Sequence, residues 1–228
     1  MSKYKIFGGK KLDGKISVAS SKNATLPLLA ASLLVGREVI FNNLPSFSDV
    51  ENMEKILTHL GCKILKSDKK TIIDTENLNT YSIPNALTKG IRSSIFMLGP
   101  MLSKFKKAKI AFPGGCNIGN RPIDLHLKGL RALNCEIKEE HGYLECNGEN
   151  MSPADIHLDF PSVGATENIM MAAVNLKGKT RIFNAAREPE IVDLQNFLNK
   201  LGAKIYGAGD GIIYIDGTEN FAKFVEYS

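Results

Sequence analysis

The chain has 228 residues, 43% of them hydrophobic and 23% charged, which suits a large globular domain with a full core and excludes extended disorder. Its longest apolar run, ATLPLLAASLLV from Ala24 to Val35, is too short to span a bilayer and contains Pro27, so no membrane segment is expected. The net charge of +5 and pI near 8.9 suit acidic partners, but without Trp or aromatic-basic interleaving these are expected to be small anions, not nucleic acid.

In chain order, the start MSKYKIFGGKKLDGK has no apolar signal core, which predicts a cytoplasmic protein. Residues 4–19, YKIFGGKKLDGKISVA, predict a β-hairpin with a glycine turn. A helix with little polar surface follows (KNATLPLLAASLL), then a strand (EVIFN), a second helix ending at LGCKI, and a return strand (TIIDT). The same order recurs with RSSIFMLGPML, KIAFP, LNCEI and GYLEC, and again with GATENIMMAAVNL, TRIFN, LGAKI and GIIYID. Phe41, Phe112 and Phe183 are spaced evenly, at intervals of 71 residues.

Three such repeats predict a pseudo-threefold α/β (α+β) domain, with the apolar helices inside and the sheets outside. The domain is expected to cover residues 21–221, leaving 1–20 as a hairpin without a counterpart and 222–228 as a tail. From phenylalanine to LGxxI the three units span 19, 21 and 18 residues, so the second carries extra loop. That loop is PGGCNIGNRP, and insertions in repeat folds gather on functional faces. Its glycines allow close backbone approach to a ligand, while Arg121-Pro122 sets a cation at a helix start.

Four cysteines, Cys62, Cys116, Cys135 and Cys146, show neither metal-ligand spacing nor a disulfide framework, so reduced thiols and no metal are expected. Cys62 and Cys135 sit in the LGxxI motif and Cys146 in a strand, which reads as core packing. GAGDG at Gly207 falls between two strands and reads as a turn, and GGCNIGN lacks the Lys-Ser/Thr ending of a P-loop. His126 reads equally as a cleft residue or as a helix-face histidine, and Arg187-Glu188-Pro189-Glu190 as an acidic helix start.

With SKNATLP at Ser21, IRSSIFMLGP at Ile91, PGGCNIGNRPIDLHLKGL at Pro113, FPSVGATENIMMAA at Phe160 and NAAREPEIVD at Asn184, the chain resembles the enolpyruvyl transferase family of UDP-N-acetylglucosamine 1-carboxyvinyltransferases. The resemblance runs through nearly the whole chain. It implies an inside-out α/β barrel domain that transfers enolpyruvyl from phosphoenolpyruvate to the 3′-hydroxyl of UDP-N-acetylglucosamine, releasing phosphate without cofactor or metal, in the first committed step of peptidoglycan biosynthesis.

By the same resemblance Cys116 is the catalytic acid and nucleophile, and Lys22, Asn23 and Arg121 bind phosphoenolpyruvate. Arg92, the segment Arg121, Pro122, Ile123, Asp124 and Leu125, and the segment Phe160, Pro161, Ser162, Val163 and Gly164 hold the UDP-sugar. One departure is Ser20-Ser21, where the family has Gly-Ala before the lysine. The family carries six repeats in two domains, and this chain matches the first three. Activity is therefore expected only with a second-domain chain or a homo-oligomer that completes the site. The resemblance also assigns the N-terminal hairpin to that second domain. The alternatives are a catalytically incomplete half that binds UDP-sugar as a regulatory module, and a 3-phosphoshikimate carboxyvinyltransferase, against which the cysteine loop and SVGAT argue.

Overall fold

A computed structural model describes residues 3–18, 20–113 and 123–228. Seven α-helices are described: α1 (Lys22–Ala31), α2 (Ser48–His59), α3 (Asn85–Thr88), α4 (Leu98–Phe105), α5 (Asp124–Ala132), α6 (Val163–Ala173) and α7 (Pro189–Lys200). The first sheet holds β1 (Glu38–Asn42), β2 (Lys63–Lys66) and β3 (Lys70–Asp74), and the second β4 (Ser82–Ile83), β5 (Lys107–Ala111), β6 (Glu136–Glu140) and β7 (Tyr143–Asn147). The third holds β8 (Asp155–His157), β9 (Lys179–Phe183), β10 (Lys204–Tyr206) and β11 (Ile212–Asp216), and β12 (Phe224–Tyr227) returns to the first.

The three sheets share one plan, with orders β12-β1-β3-β2, β4-β5-β7-β6 and β8-β9-β11-β10. In each, the first pair is parallel and the others antiparallel. The buried and less buried positions of β1, β7 and β11 alternate strictly, as in a sheet with one face on a core and one toward solvent. Inside lie α1, α4 and α6, and Ala165 through Ala173 of α6 are all buried. The helices therefore form the interior and the sheets the outer layer, as the apolar character of those segments predicts.

The LGxxI motif is a helix ending. Gly61, Asn134 and Gly202 all take positive φ, +106°, +65° and +106°, after the fully buried Leu60, Leu133 and Leu201. The next N–H of each unit, at Cys62, Cys135 and Ala203, reaches back to the carbonyl of Leu57, Leu130 and Leu198. That bond satisfies an orphan carbonyl of the last turn, and only Gly or Asn occupies such a left-handed site at low cost. Cys62, Cys135 and Cys146 are buried and reduced, which matches their reading as core residues. GAGDG forms the turn between β10 and β11, with positive φ at Gly207, Gly209 and Gly211.

Three expectations need correction. Residues 222–228 are not a tail: β12 pairs in parallel with β1, buries Val225 and sets the Tyr227 ring edge-on to Phe197 at 5.2 Å. β12 is to the first sheet what β4 and β8 are to theirs, a fourth strand supplied by the end of the preceding unit. The three units interlock cyclically, and the strands that do this are short, which hid them in the sequence. Next, residues 3–18 form no hairpin: no strand is assigned there, and Tyr4, Ile6, Phe7, Leu12, Ile16 and Val18 are all at least 79% exposed. The alternating pattern is present, but nothing among the described residues pairs with it. Finally, the inner segment of the second unit starts as a 3-10 helix over Arg92–Met97 before α4.

Candidate functional site

A cleft of about 700 Å³ opens where the N-termini of α1 and α6 come together with the segment around Arg92 and the start of α5. The sequence around each element explains its aim. Ser21 caps α1, its hydroxyl accepting from the Ala24 N–H at 3.4 Å, and Ser162 caps α6 through the Ala165 N–H at 3.4 Å. Ser21, one of the two serines expected to depart from the family pattern, is thus the α1 cap. Lys22 and Asn23 then occupy the first turn, so Asn23 is not itself the cap. Pro27 offers no N–H to the Asn23 carbonyl, which leaves that oxygen free of its helical partner.

Charge distinguishes the inner helices from the outer ones. The outer helices α2, α5 and α7 each carry an acid in the first turn, Asp49 and Glu51, Asp124, and Glu190, which offsets the positive helix end. The inner helices α1 and α6 carry none, and both open on the cleft. Lys22, Lys89 and Arg92 line the same space, so free N–H groups and cations converge on one side of it as they do in anion sites, while Asp49, Asp124, Glu167 and Glu190 also line it. Lys22 is held 2.8 Å from Asp49, half exposed, in a geometry that an arriving anion can exchange at small cost.

One wall is a polar network without slack. The Asn168 Oδ1 accepts from the Gly99 N–H at 2.7 Å, so its Nδ2 must face the other way. That nitrogen donates to the Ile95 carbonyl at 2.8 Å and to His126 Nδ1 at 2.9 Å. Nδ1 is therefore an acceptor, and the neutral ring carries its proton on Nε2. Burial, with the Arg92 charge adding to it, holds the His126 pKa down at about 4, so the ring is neutral at pH 7. The ring lies against Gly164: a Cβ there would sit 2.9 Å from His126 Cε1 and 2.9 Å from Phe96 Cε1. Glycine at 164 lets the α6 backbone approach both rings, and His126 lines the cleft as a fixed N–H donor.

Of the residues expected at a site, Lys22, Asn23, Arg92, Asp124, Leu125, Phe160, Ser162, Val163 and Gly164 line this one cleft. Ile123 stands just before α5 and packs partly against the core, and Pro161 is exposed; neither lines it. Cys116, Arg121 and Pro122 lie outside the described residues. Lys89, Asp49, Phe96, Glu167 and Glu190 line the cleft without having been expected there. Glu190 could be read only as a helix-start acid, and no local pattern marks a glutamate inside the apolar α6 as facing a cleft. Among the described residues no cluster of His, Cys, Asp and Glu could hold a metal, and no helix is long and apolar enough to cross a membrane.

Comparison with known proteins extends this geometry. The family model described as EPSP synthase (3-phosphoshikimate 1-carboxyvinyltransferase) matches residues 6–228. UDP-N-acetylglucosamine 1-carboxyvinyltransferase 2 of Caldanaerobacter subterraneus subsp. tengcongensis is 51% identical over 219 residues, covering 96% of this chain and 52% of the relative. UDP-N-acetylglucosamine 1-carboxyvinyltransferase 1 of Carboxydothermus hydrogenoformans is 49% identical over 217 residues, covering 95% and 51%. The chain thus spans about half the length of the curated relatives it matches. Among solved structures, the enolpyruvyl transferase NikO from Streptomyces tendae superposes with a TM-score of 0.82 at 19% identity, over 96% of this chain and 52% of that one. EPSP synthase from Acinetobacter baumannii gives 0.69 at 18% identity, over 93% and 49%.

Proposed function

The chain belongs to the EPSP synthase (3-phosphoshikimate 1-carboxyvinyltransferase) family, and from that premise we propose that it is the N-terminal half of a UDP-N-acetylglucosamine 1-carboxyvinyltransferase. The reaction would move enolpyruvyl from phosphoenolpyruvate to the sugar 3′-hydroxyl and release phosphate, in cytoplasmic peptidoglycan biosynthesis. The observation that carries this reading is the convergence of two acid-free helix ends with Lys22 and Arg92 on one cleft, which suits substrates bearing phosphate and carboxylate. The identity of 45–51% to relatives named for the UDP-sugar favours that acceptor over shikimate 3-phosphate, since the EPSP synthase structures are only 17–18% identical.

In this reading Lys22, Asn23 and Arg121 bind phosphoenolpyruvate, and Cys116 supplies the proton to its methylene carbon and can add to the adjacent carbon. Arg92, Arg121 to Leu125 and Phe160 to Gly164 hold the sugar nucleotide. The free N–H groups of α6 and the His126 N–H, which line the cleft, would meet its anionic oxygens. The base for the 3′-hydroxyl, and the closure that excludes water, come from a second domain. Residues 3–18 dock on that domain, which accounts for their exposed alternating apolar side chains.

Phosphate release from phosphoenolpyruvate, measured with and without UDP-N-acetylglucosamine on the chain and on Cys116→Ala, tests the reading. Sugar-dependent release that the substitution abolishes supports a working site. Nucleotide binding without release reduces the chain to a binding half, and absence of both removes the proposal.

A further inference from the structure

Glu167 sits in the second turn of α6, is 1% exposed and lines the cleft. Neither of its carboxyl oxygens has a hydrogen-bond partner among the described residues. The other buried glutamate with an orphaned oxygen, Glu54, has its second oxygen on Lys66, so Glu167 alone among the described buried acids leaves both unmet. Buried polar groups are otherwise nearly always paired, and such an exception within a binding cleft points to a partner that arrives later.

The surroundings indicate the partner's charge. Thr166 accepts from the Ala186 N–H at 3.1 Å, which ties the start of α7 to α6 and brings two more acids to this corner. Glu188 and Glu190 both raise the proton affinity of Glu167, after burial itself, and Glu190 lines the cleft with it. Lys22, on the α1 side, is already engaged by Asp49. A corner of acids with one buried, unmet carboxyl takes a cation at the moment it is covered. Lys22, Lys89 and Arg92 line the same cleft but none bonds either Glu167 oxygen, and the proposed substrates carry anionic and neutral groups, which leaves a cation of the covering protein as the fitting partner. Two unmet oxygens on one carboxyl, with a second carboxylate alongside, fit the planar fork of a guanidinium better than the point charge of an ammonium.

We propose that Glu167, with Glu190 beside it, is the receptor for an arginine side chain of the domain that closes over this cleft. This rests on the reading above, in which a second domain completes the site. Docking would oppose the burial that favours the protonated acid and form a buried ion pair, so closure would place a positive charge beside the bound anions and favour release of the Glu167 proton to solvent.

Methylguanidinium serves as the probe on the purified chain, with infrared difference spectroscopy of the carboxylic C=O stretch at neutral pH and Glu167→Gln to assign the band. The expected result is a neutral-acid band that millimolar methylguanidinium bleaches, that tetramethylammonium at equal ionic strength does not, and whose bleaching weakens in Glu190→Gln. Equal responses to both salts, or no response, overturn the proposal. So does the absence of the band at the outset, since a cation of the chain itself would then already hold the group. Calorimetry with UDP-N-acetylglucosamine on the same sample separates the two claims. Nucleotide binding without a methylguanidinium response sinks the receptor alone, and a response without nucleotide binding sinks the enzyme reading alone.

Discussion

The two ends of the chain carry similar side chains and behave in opposite ways. Residues 224–227, FVEY, are rich in the aromatic and β-branched side chains that strands favour, and parts of residues 3–18 such as KISV alternate polar and apolar residues as a half-buried strand would. The C-terminal strand finds the open edge of β1, buries Val225, and ties down further through the Tyr227 hydroxyl on Asp193 and the Lys200 ammonium on the Glu226 carbonyl. The N-terminal segment joins none of the three four-stranded sheets, and its apolar side chains stay in solvent. Alternation states that a segment can be a strand; an unfilled edge decides whether it is one here.

Removing residues 222–228 should break the comparison most severely. It uncovers β1, deletes the Val225 and Tyr227 contacts and reopens the cyclic arrangement, for a loss of about 4 kcal/mol or more. That is a large share of the stability of an ordinary domain, so urea unfolding should show a much lower midpoint or a chain already unfolded in water. Next in size is the His126 network. Replacing Asn168 with Ala strands the Gly99 N–H and the Ile95 carbonyl in the interior and should cost about 3 kcal/mol by the same measurement.

The same network predicts a pH dependence. The unfolded chain binds a proton at His126 near pH 6.5, whereas the folded chain does so only near pH 4. Between those values the unfolded state holds more protons, so stability falls as the pH is lowered from about 6.5 toward 4, by up to about 3 kcal/mol. His126→Gln, which keeps an acceptor for Asn168, should flatten that slope. Glu167 acts in the opposite sense: its raised proton affinity costs stability as the pH rises above the usual carboxylate range, so Glu167→Gln should stabilise the isolated chain at pH 7 relative to pH 4.

Much of this fold could be read from residue types, because its features are local. Gly61, Asn134 and Gly202 mark three helix ends by the one property those residues share, and the all-apolar faces of α1 and α6 declare an interior position. The strands β4, β8 and β12 were hidden because they are two to four residues long and get their meaning from a neighbour in another unit. The cleft was legible where residues sit at helix starts, as Lys22, Asp124 and Ser162 do. Glu167 was not, because its role depends on the approach of α7, more than twenty residues away, to a helix whose sequence otherwise reads as core.

Smaller effects sharpen the contrast between the ends. Tyr227→Phe keeps the edge-on ring contact with Phe197 but removes the hydroxyl bond to Asp193, and should cost about 1 kcal/mol. Deleting residues 1–18 should change the stability of the isolated chain by less than about 0.5 kcal/mol, since the described part of that segment buries nothing against the domain. Its solubility should rise as well, because Ile6, Phe7, Leu12 and Ile16 leave solvent with it. Supplying the C-terminal half of a relative as a separate polypeptide then makes this silent segment count. If residues 3–18 belong to the second domain, the shortened chain should bind that half less tightly by calorimetry than the full chain does. Equal binding would show instead that they serve neither domain, and their exposed apolar side chains would then need a different partner.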